Sequence, residues 1–160
     1  MQSIPLRAEP TDLAPLLRGS LGALREQADR LEVALTVDAP DDLPKVTVDA
    51  EKVAWAVATL VGNALRFVRH GTRRMPGGSI HVRIARAADG VTITVEDDGP
   101  GIPPDKVPWL FERRPGATHA AGLGLMLIHD VVVAHGGSVR VSSATEGPQR
   151  GTRVTLQIPG

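Results

Sequence analysis

The chain has 160 residues, 42% hydrophobic and 22% charged, and its 18 basic residues balance 18 acidic ones. That balance fits one globular domain with a core, and excludes a disordered chain, a general nucleic-acid coat and a polybasic membrane anchor. The absence of cysteine removes disulfides, thiolate nucleophiles and cysteine-bearing zinc sites together.

With two Trp, two Phe and no Tyr, recognition by aromatic stacking is not expected. No apolar run approaches the ~18 residues of a membrane span, and no signal-like start is present. A soluble domain is expected, either whole or one piece of a longer protein. Repeats, low-complexity blocks and interior linkers are absent, so residues 1–160 are read as a single domain.

In chain order, Thr11 or Asp12 can cap a first helix. Leu13, Leu16, Leu17, Leu21, Leu24, Ala28 and Leu31 recur along it at threes and fours. Gly19 and Gly22 weaken its middle. Val33, Leu35 and Val37 alternate as a strand, and Pro40 and Pro44 bracket a turn. Asp49 caps a second helix whose buried stripe is Val53, Val57, Leu60, Ala64 and Val68. Gly71 to Gly78 reads as a basic, Gly-rich loop. Ile80, Val82 and Ile84, the Asp89-Gly90 turn, and Val91, Ile93 and Val95 form a hairpin.

From Asp98 to Gly122 the pattern dissolves among five prolines, with room for one helical turn near Asp105 to Phe111. A loop this long within a domain is characteristic of a lid. Leu125, Ile128 and Val132 mark a third helix, stopped by Gly136-Gly137. Two last strands carry Val139 and Val141, then Val154, Leu156 and Ile158. The order predicts an α+β, two-layer sandwich: one mixed sheet of about five strands with three helices on one face.

Three clusters carry polar chemistry. Thr59, Asn63 and Arg66 fall within about 60° of one another on the second helix, at ~100° per residue. Asn63 lies at the edge of the buried stripe, where a carboxamide needs partners. It either bonds a neighbouring loop or ligates a hard cation such as Mg²⁺, with Arg66 facing a phosphate.

The second cluster is Asp97-Asp98-Gly99-Pro100-Gly101. Strand parity places Asp97 with Val91, Ile93 and Val95 on the core side, and Asp98 with Thr92, Thr94 and Glu96 on the other. Asp97 is then either a turn cap or an acceptor for an exocyclic amine, with Gly99 and Gly101 allowing a flat ligand close to the backbone. The third cluster, Gly122-Leu123-Gly124-Leu125, opens the third helix. It exposes backbone N–H groups to an anion, or simply allows close helix–sheet packing. His129 and His135 read as helix-surface and helix-end residues. Neither a zinc-protease His pattern nor a Gly-x-Ser-x-Gly elbow is present.

Taken in this order, the clusters resemble the catalytic and ATP-binding domain of bacterial sensor histidine kinases, within the wider GHKL superfamily of ATPases. The resemblance spans about Thr11 to Pro159. "NALRFV" from Asn63 is similar to the family's N box, and "DDGPGI" from Asp97 to its first glycine box. "WLFERR" around Phe111 resembles its F box, and "GLGLMLIHDVVVAHGG" from Gly122 its second glycine box. The resemblance implies a Bergerat-type fold with an ATP lid at about residues 102–121. It implies that Asn63 coordinates the Mg²⁺ bridging the ATP phosphates and that Arg66 stands near those phosphates. Asp97 would accept from the adenine amino group, and Gly99, Gly101 and Ile102 would line the base pocket. Phe111 would anchor the lid, and Gly122, Leu123, Gly124 and Leu125 would hold the phosphates and hinge it.

Three features depart from the family pattern. Thr59 stands where an Asn or Glu usually supports the metal or acts as base, Arg114 replaces the second aromatic of the F box, and Ala120 and Ala121 reduce the second glycine box. Residues 1–31 contain no histidine, so the phosphoacceptor and dimerisation domain is expected to be separate from this chain.

The expected function is an ATP-dependent protein-histidine kinase domain in two-component signalling. Its partners would be ATP and ADP, a histidine-bearing helical dimerisation domain and, indirectly, a response regulator. It would lie in the cytoplasm, alone or as the cytoplasmic part of a membrane-bound sensor kinase, and make no direct membrane or nucleic-acid contact. The alternatives are a degenerate nucleotide-binding module that signals through lid closure, or a related ATPase or serine-directed regulator kinase.

Overall fold

The computed structural model describes residues 4–107 and 120–160. Its strands are β1 (Glu9–Thr11), β2 (Ala34–Asp38), β3 (Val46–Val48), β4 (Ser79–Ala87), β5 (Gly90–Asp97), β6 (Ser138–Ala144) and β7 (Gly151–Pro159). Its helices are α1 (Leu13–Ser20), α2 (Gly22–Arg30), α3 (Ala50–Phe67) and α4 (Ala120–Ala134). The alternating strands assemble into one mixed five-stranded sheet in the order β2-β4-β5-β7-β6. Only the β2–β4 pairing is parallel.

Period-two alternation turns one face of this sheet wholly apolar. Leu35, Ile80, Val82, Ile84, Val91, Ile93, Val95, Val154, Leu156 and Ile158 are all buried on it. They meet the stripe of α3, from Val53 to Leu65, together with Ile128 and Val132 of α4. Each such side chain withdrawn from water contributes about 1.5–3 kcal/mol before entropy is subtracted. The other face carries Thr92, Thr94, Glu96, Thr155 and Gln157, half-buried, and the exposed Arg83 and Arg153. The expected architecture is therefore present.

Two local expectations are corrected. The first helix is two helices, broken at Leu21, whose φ of −92° and ψ of 0° leave the helical region. Gly19 and Gly22 flank the break, and neither would bring a Cβ into contact with anything. Poor helix formers with no packing to compensate yield there, while the fully buried Leu21 fixes where the bend falls. Four helices rather than three result among the described residues. The second correction concerns Thr11, which ends β1 instead of capping a helix. β1 pairs antiparallel with β3 in a separate two-stranded sheet, and the Thr11 hydroxyl donates to the Glu9 carbonyl. Asp12 occupies the cap position of α1 without a side-chain bond.

Asp49 caps α3 as expected, its carboxylate accepting from the Lys52 N–H at 3.1 Å. It also accepts from the Arg7 N–H at 2.9 Å and from Lys52 Nζ at 3.1 Å. Its own N–H donates to Nε2 of His135, at 3.0 Å. His135 in turn contacts the Val131 carbonyl through Nδ1, at 2.8 Å. With Nε2 accepting, Nδ1 must donate, so the imidazole is the neutral Nδ1–H tautomer. One residue thus joins the N-terminal segment, the start of α3 and the end of α4. No helix among the described residues is long and apolar enough to cross a membrane.

The bond from the Arg7 N–H, with those from Lys52, holds the Asp49 carboxyl down at about 2, against 3.8 for the free group, although burial opposes it. A carboxyl depressed on folding stabilises the fold above its unfolded value and loses that contribution as pH falls toward its folded one. Urea unfolding of Asp49→Ala is expected to show a loss of about 2 kcal/mol at pH 7. The variant's stability should also fall less steeply than the parent's between pH 4 and pH 2.

Candidate nucleotide site

The parity reading of β5 holds in the sheet register. Asp97 pairs with Ile80 on one side and Thr152 on the other, and Thr152 pairs with Ser143. All four belong to the helix-facing side, at the end of the sheet where the strands finish. Asp97 is half-buried there. Its Oδ1 accepts from the Gly99 N–H at 2.8 Å, closing the turn that follows the strand. Burial pushes its carboxyl above the ordinary 3.8, and the backbone N–H groups of Gly99 and Thr152 only partly offset this. Asp98, on the opposite parity, accepts from the N–H and hydroxyl of Ser79 at 2.9 and 3.1 Å. The two adjacent aspartates therefore separate into a core-edge acceptor and a strand cap.

The turn after β5 lies against the end of α3. A Cβ on Gly99 would stand 3.0 Å from Asp97 Oδ1 and 3.5 Å from the Phe67 carbonyl oxygen. Asn63 is one turn before Phe67 on the same helix, about 6 Å back along the axis and ~40° around it. It is half-buried, and its carboxamide has no hydrogen bond among the described residues. No buried side-chain polar atom there lacks a partner, so this free amide faces solvent. The last turn of α3, which follows Asn63, is thus set against the turn that follows Asp97.

The remaining predicted residues divide. Thr59 is half-buried, but its hydroxyl donates to the Trp55 carbonyl at 2.8 Å, a back-bond along its own helix. Arg66 is exposed, with its guanidinium carbon 5.6 Å from the centre of the Phe67 ring. It also borders a groove of about 110 Å³ shared with Leu24, Leu31 and His70 of neighbouring segments. Gly101 adopts φ +76°, and a Cβ there would collide with the Ala144 carbonyl oxygen. Its lack of a side chain lets the chain pass against the end of β6. Ile102 donates its N–H to Ser143 Oγ at 2.7 Å.

Helix α4 starts at Ala120, so Gly122 and Leu123 fall in its first turn and Gly124 directly follows. Two further residues precede the glycines than the sequence pattern indicated. Leu125 is buried, and its side chain belongs to the core. Phe111 and the greater part of the expected lid, residues 108–119, lie outside the described residues.

Phe67 was not singled out from the sequence. It is 53% exposed, its carbonyl abuts the Asp97–Gly99 turn, and its ring lies under the Arg66 guanidinium. An aromatic ending an amphipathic helix out of phase with its buried stripe was the available signal. Ser143 and Arg150 also went unnoticed, because each touches the site only through the sheet fold.

The free carboxamide oxygen of Asn63 is compatible with one protein ligand to a magnesium ion. Among the described residues no three His, Asp or Glu side chains group together, and Asn63 supplies one free carboxamide oxygen. Mg²⁺ characteristically combines a few protein oxygens with phosphate oxygens and waters.

Residues 48–160 match the family described as histidine kinase-, DNA gyrase B- and HSP90-like ATPases. The sensor histidine kinase Hik2 of Thermosynechococcus vestitus is 32% identical over 99% of this chain and 41% of its own length. The structure of the mycobacterial sensor histidine kinase MprB superposes with a TM-score of 0.76 at 29% identity, over 96% of this chain and 97% of that one. The structure of full-length ShkA, in complex with AMPPNP, gives a TM-score of 0.82 at 25% identity, over 99% of this chain and 32% of that one. The chain spans about two fifths of the length of Hik2. With its mixed sheet, glycine turn and open carboxamide in the matched region, the chain belongs to the histidine kinase-, DNA gyrase B- and HSP90-like ATPase family.

Proposed function

We propose that this domain binds Mg²⁺-ATP and passes the γ-phosphoryl group to a histidine on a separate helical dimerisation domain, acting in the cytoplasm. The observation that carries this reading is the packing of the turn after Asp97 against the last turn of α3, the helix that carries Asn63. Asp97 offers a carboxylate, at the edge of an apolar core, to an exocyclic amine of a purine. Its Oδ1 is fixed by the Gly99 N–H, so the acceptor is oriented before ligand arrives.

Asn63 presents an oxygen to the cation, and Arg66, exposed and one turn away, can swing to the phosphates. Mg²⁺, when bound, supplies neutralisation of charge on the phosphate oxygens. In the transfer, a P–O bond to ADP breaks and a P–N bond to the acceptor imidazole forms. The response regulator then receives the group from that histidine.

A second reading has its own support. Thr59 stands where the resemblance expects a group assisting the metal or acting as base, and its hydroxyl is tied to the Trp55 carbonyl. A hydroxyl is a far weaker base than a carboxylate, and this one is held back along its own helix, which favours a nucleotide-binding module with slow transfer.

Two measurements test these readings. Asp97→Asn is expected to abolish detectable binding of AMPPNP by calorimetry. The same variant should unfold at an equal or higher urea concentration at pH 7. A carboxyl raised on folding costs stability as pH climbs from its unfolded value through its folded one, and the amide removes that cost. Undiminished affinity would count against the site. In the second measurement, labelled ATP and the separate histidine-bearing domain are supplied to the parent and to Thr59→Asn. Label is expected on the histidine, with transfer about tenfold faster in the variant. Binding without transfer by either protein would reject the kinase reading.

A further inference from the structure

The turn that follows Asp97 is held at both ends by side chains from β6 and the β6–β7 connection. At its first end, Arg150 donates from Nε to the Gly99 carbonyl at 3.1 Å. At its far end, the Ile102 N–H donates to Ser143 Oγ at 2.7 Å. Ser143 also donates to the Gly151 carbonyl at 2.9 Å and lies 3.0 Å from Thr152 Oγ1. A serine hydroxyl has one proton and two lone pairs. Its proton is committed to Gly151, so Ile102 and Thr152 must both donate to it. The hydroxyl is therefore saturated, with every site used to knit Ile102 to β7.

Close backbone approaches reinforce the arrangement. A Cβ on Gly101 would strike the Ala144 carbonyl, and one on Gly151, at φ +134°, would strike the Asp97 carbonyl. Thr152 is also the cross-strand partner of Asp97. One row of side chains, Asp97–Thr152–Ser143, thus runs from the adenine acceptor to the anchor of Ile102, the first residue of the expected lid.

The structure assigns Ser143 and Arg150 as positioning residues of the nucleotide site. They clamp Gly99–Ile102 so that the base-lining backbone and the root of the lid keep a fixed relation to Asp97. Neither is placed to touch nucleotide. This inference rests on the nucleotide reading of Asp97. The hairpin itself does not depend on them, since the β6–β7 ladder is made by backbone pairing from Ser138↔Gln157 to Ala144↔Gly151.

The test is calorimetry with Mg²⁺ and AMPPNP on the full chain, alongside urea unfolding and amide exchange at Ile102. Ser143→Ala is expected to weaken binding about tenfold, because it strands the Ile102 N–H, and Arg150→Ala by about threefold. Unfolding midpoints should remain close to the parent's, and Ile102 should lose exchange protection in Ser143→Ala. Ser143→Thr, which keeps the hydroxyl, should recover most of the affinity. The double variant should lose less than the two losses summed, since both hold one turn. Unchanged affinity in both single variants, with Asp97→Asn still abolishing binding, would overturn the clamp alone. Affinity falling only in step with stability would overturn it too. Asp97→Asn binding as well as the parent would instead remove the nucleotide reading, and the clamp with it.

Discussion

A carboxylate on the core-facing side of a strand is the constraint from which the site follows. Alternation along β5 leaves no freedom: with Val91, Ile93 and Val95 inward, Asp97 is inward too. It is tolerated because the strand ends there, because Gly99 closes a turn onto Oδ1, and because the side chain is only half-buried at the sheet rim. Two residues earlier in that register it would be buried between Val82 and Val154, and one residue later it would face outward as Asp98 does.

The helix layer completes the arrangement. α3 packs its apolar stripe on the sheet, which brings its last turn against the Asp97–Gly99 turn and leaves Asn63 at the boundary between core and solvent. Asp49 fixes the other end of the same helix, and through His135 it fixes the end of α4. The two ends of α3 thus do different work. The first is immobilised by hydrogen bonds, and the last borders the ligand site. Displacing the helix along its axis would move Asn63 relative to Asp97, so the cap at Asp49 bears on site geometry about fourteen residues away, about 21 Å along the helix.

Much of this was legible in the chain because it rests on local periodicity. The stripe of α3, its Asp49 cap, the alternation of β4, β5 and β7, and the opposed parities of Asp97 and Asp98 need only neighbours in sequence. The small β1–β3 sheet was not legible, since three-residue strands are too short to display a period, and Pro10 argued against one. The break at Leu21 was signalled by its glycines, but a continuous leucine pattern concealed it. Ser143 and Arg150 stand 41 and 51 residues from the backbone groups they hold. A serine in a strand and an arginine in a polar loop carry no mark of such a role. Tertiary pairing alone reveals them.

The two perturbed carboxylates separate scaffold from site on physical grounds. Asp49 accepts three hydrogen bonds and its carboxyl is driven down, so its charged form is fully used within the fold and has nothing left to offer a ligand. Asp97 is driven up, because burial withdraws water faster than Gly99 and Thr152 replace it. An under-satisfied acceptor at the rim of an apolar core destabilises the empty domain, and a ligand that donates a hydrogen bond there relieves the deficit. Binding energy at such a position comes partly from correcting the protein's own incomplete solvation. On this view part of what Asp97 costs the unliganded fold returns as affinity for the nucleotide, and the Ser143–Arg150 clamp keeps the turn from relaxing to satisfy Asp97 without ligand.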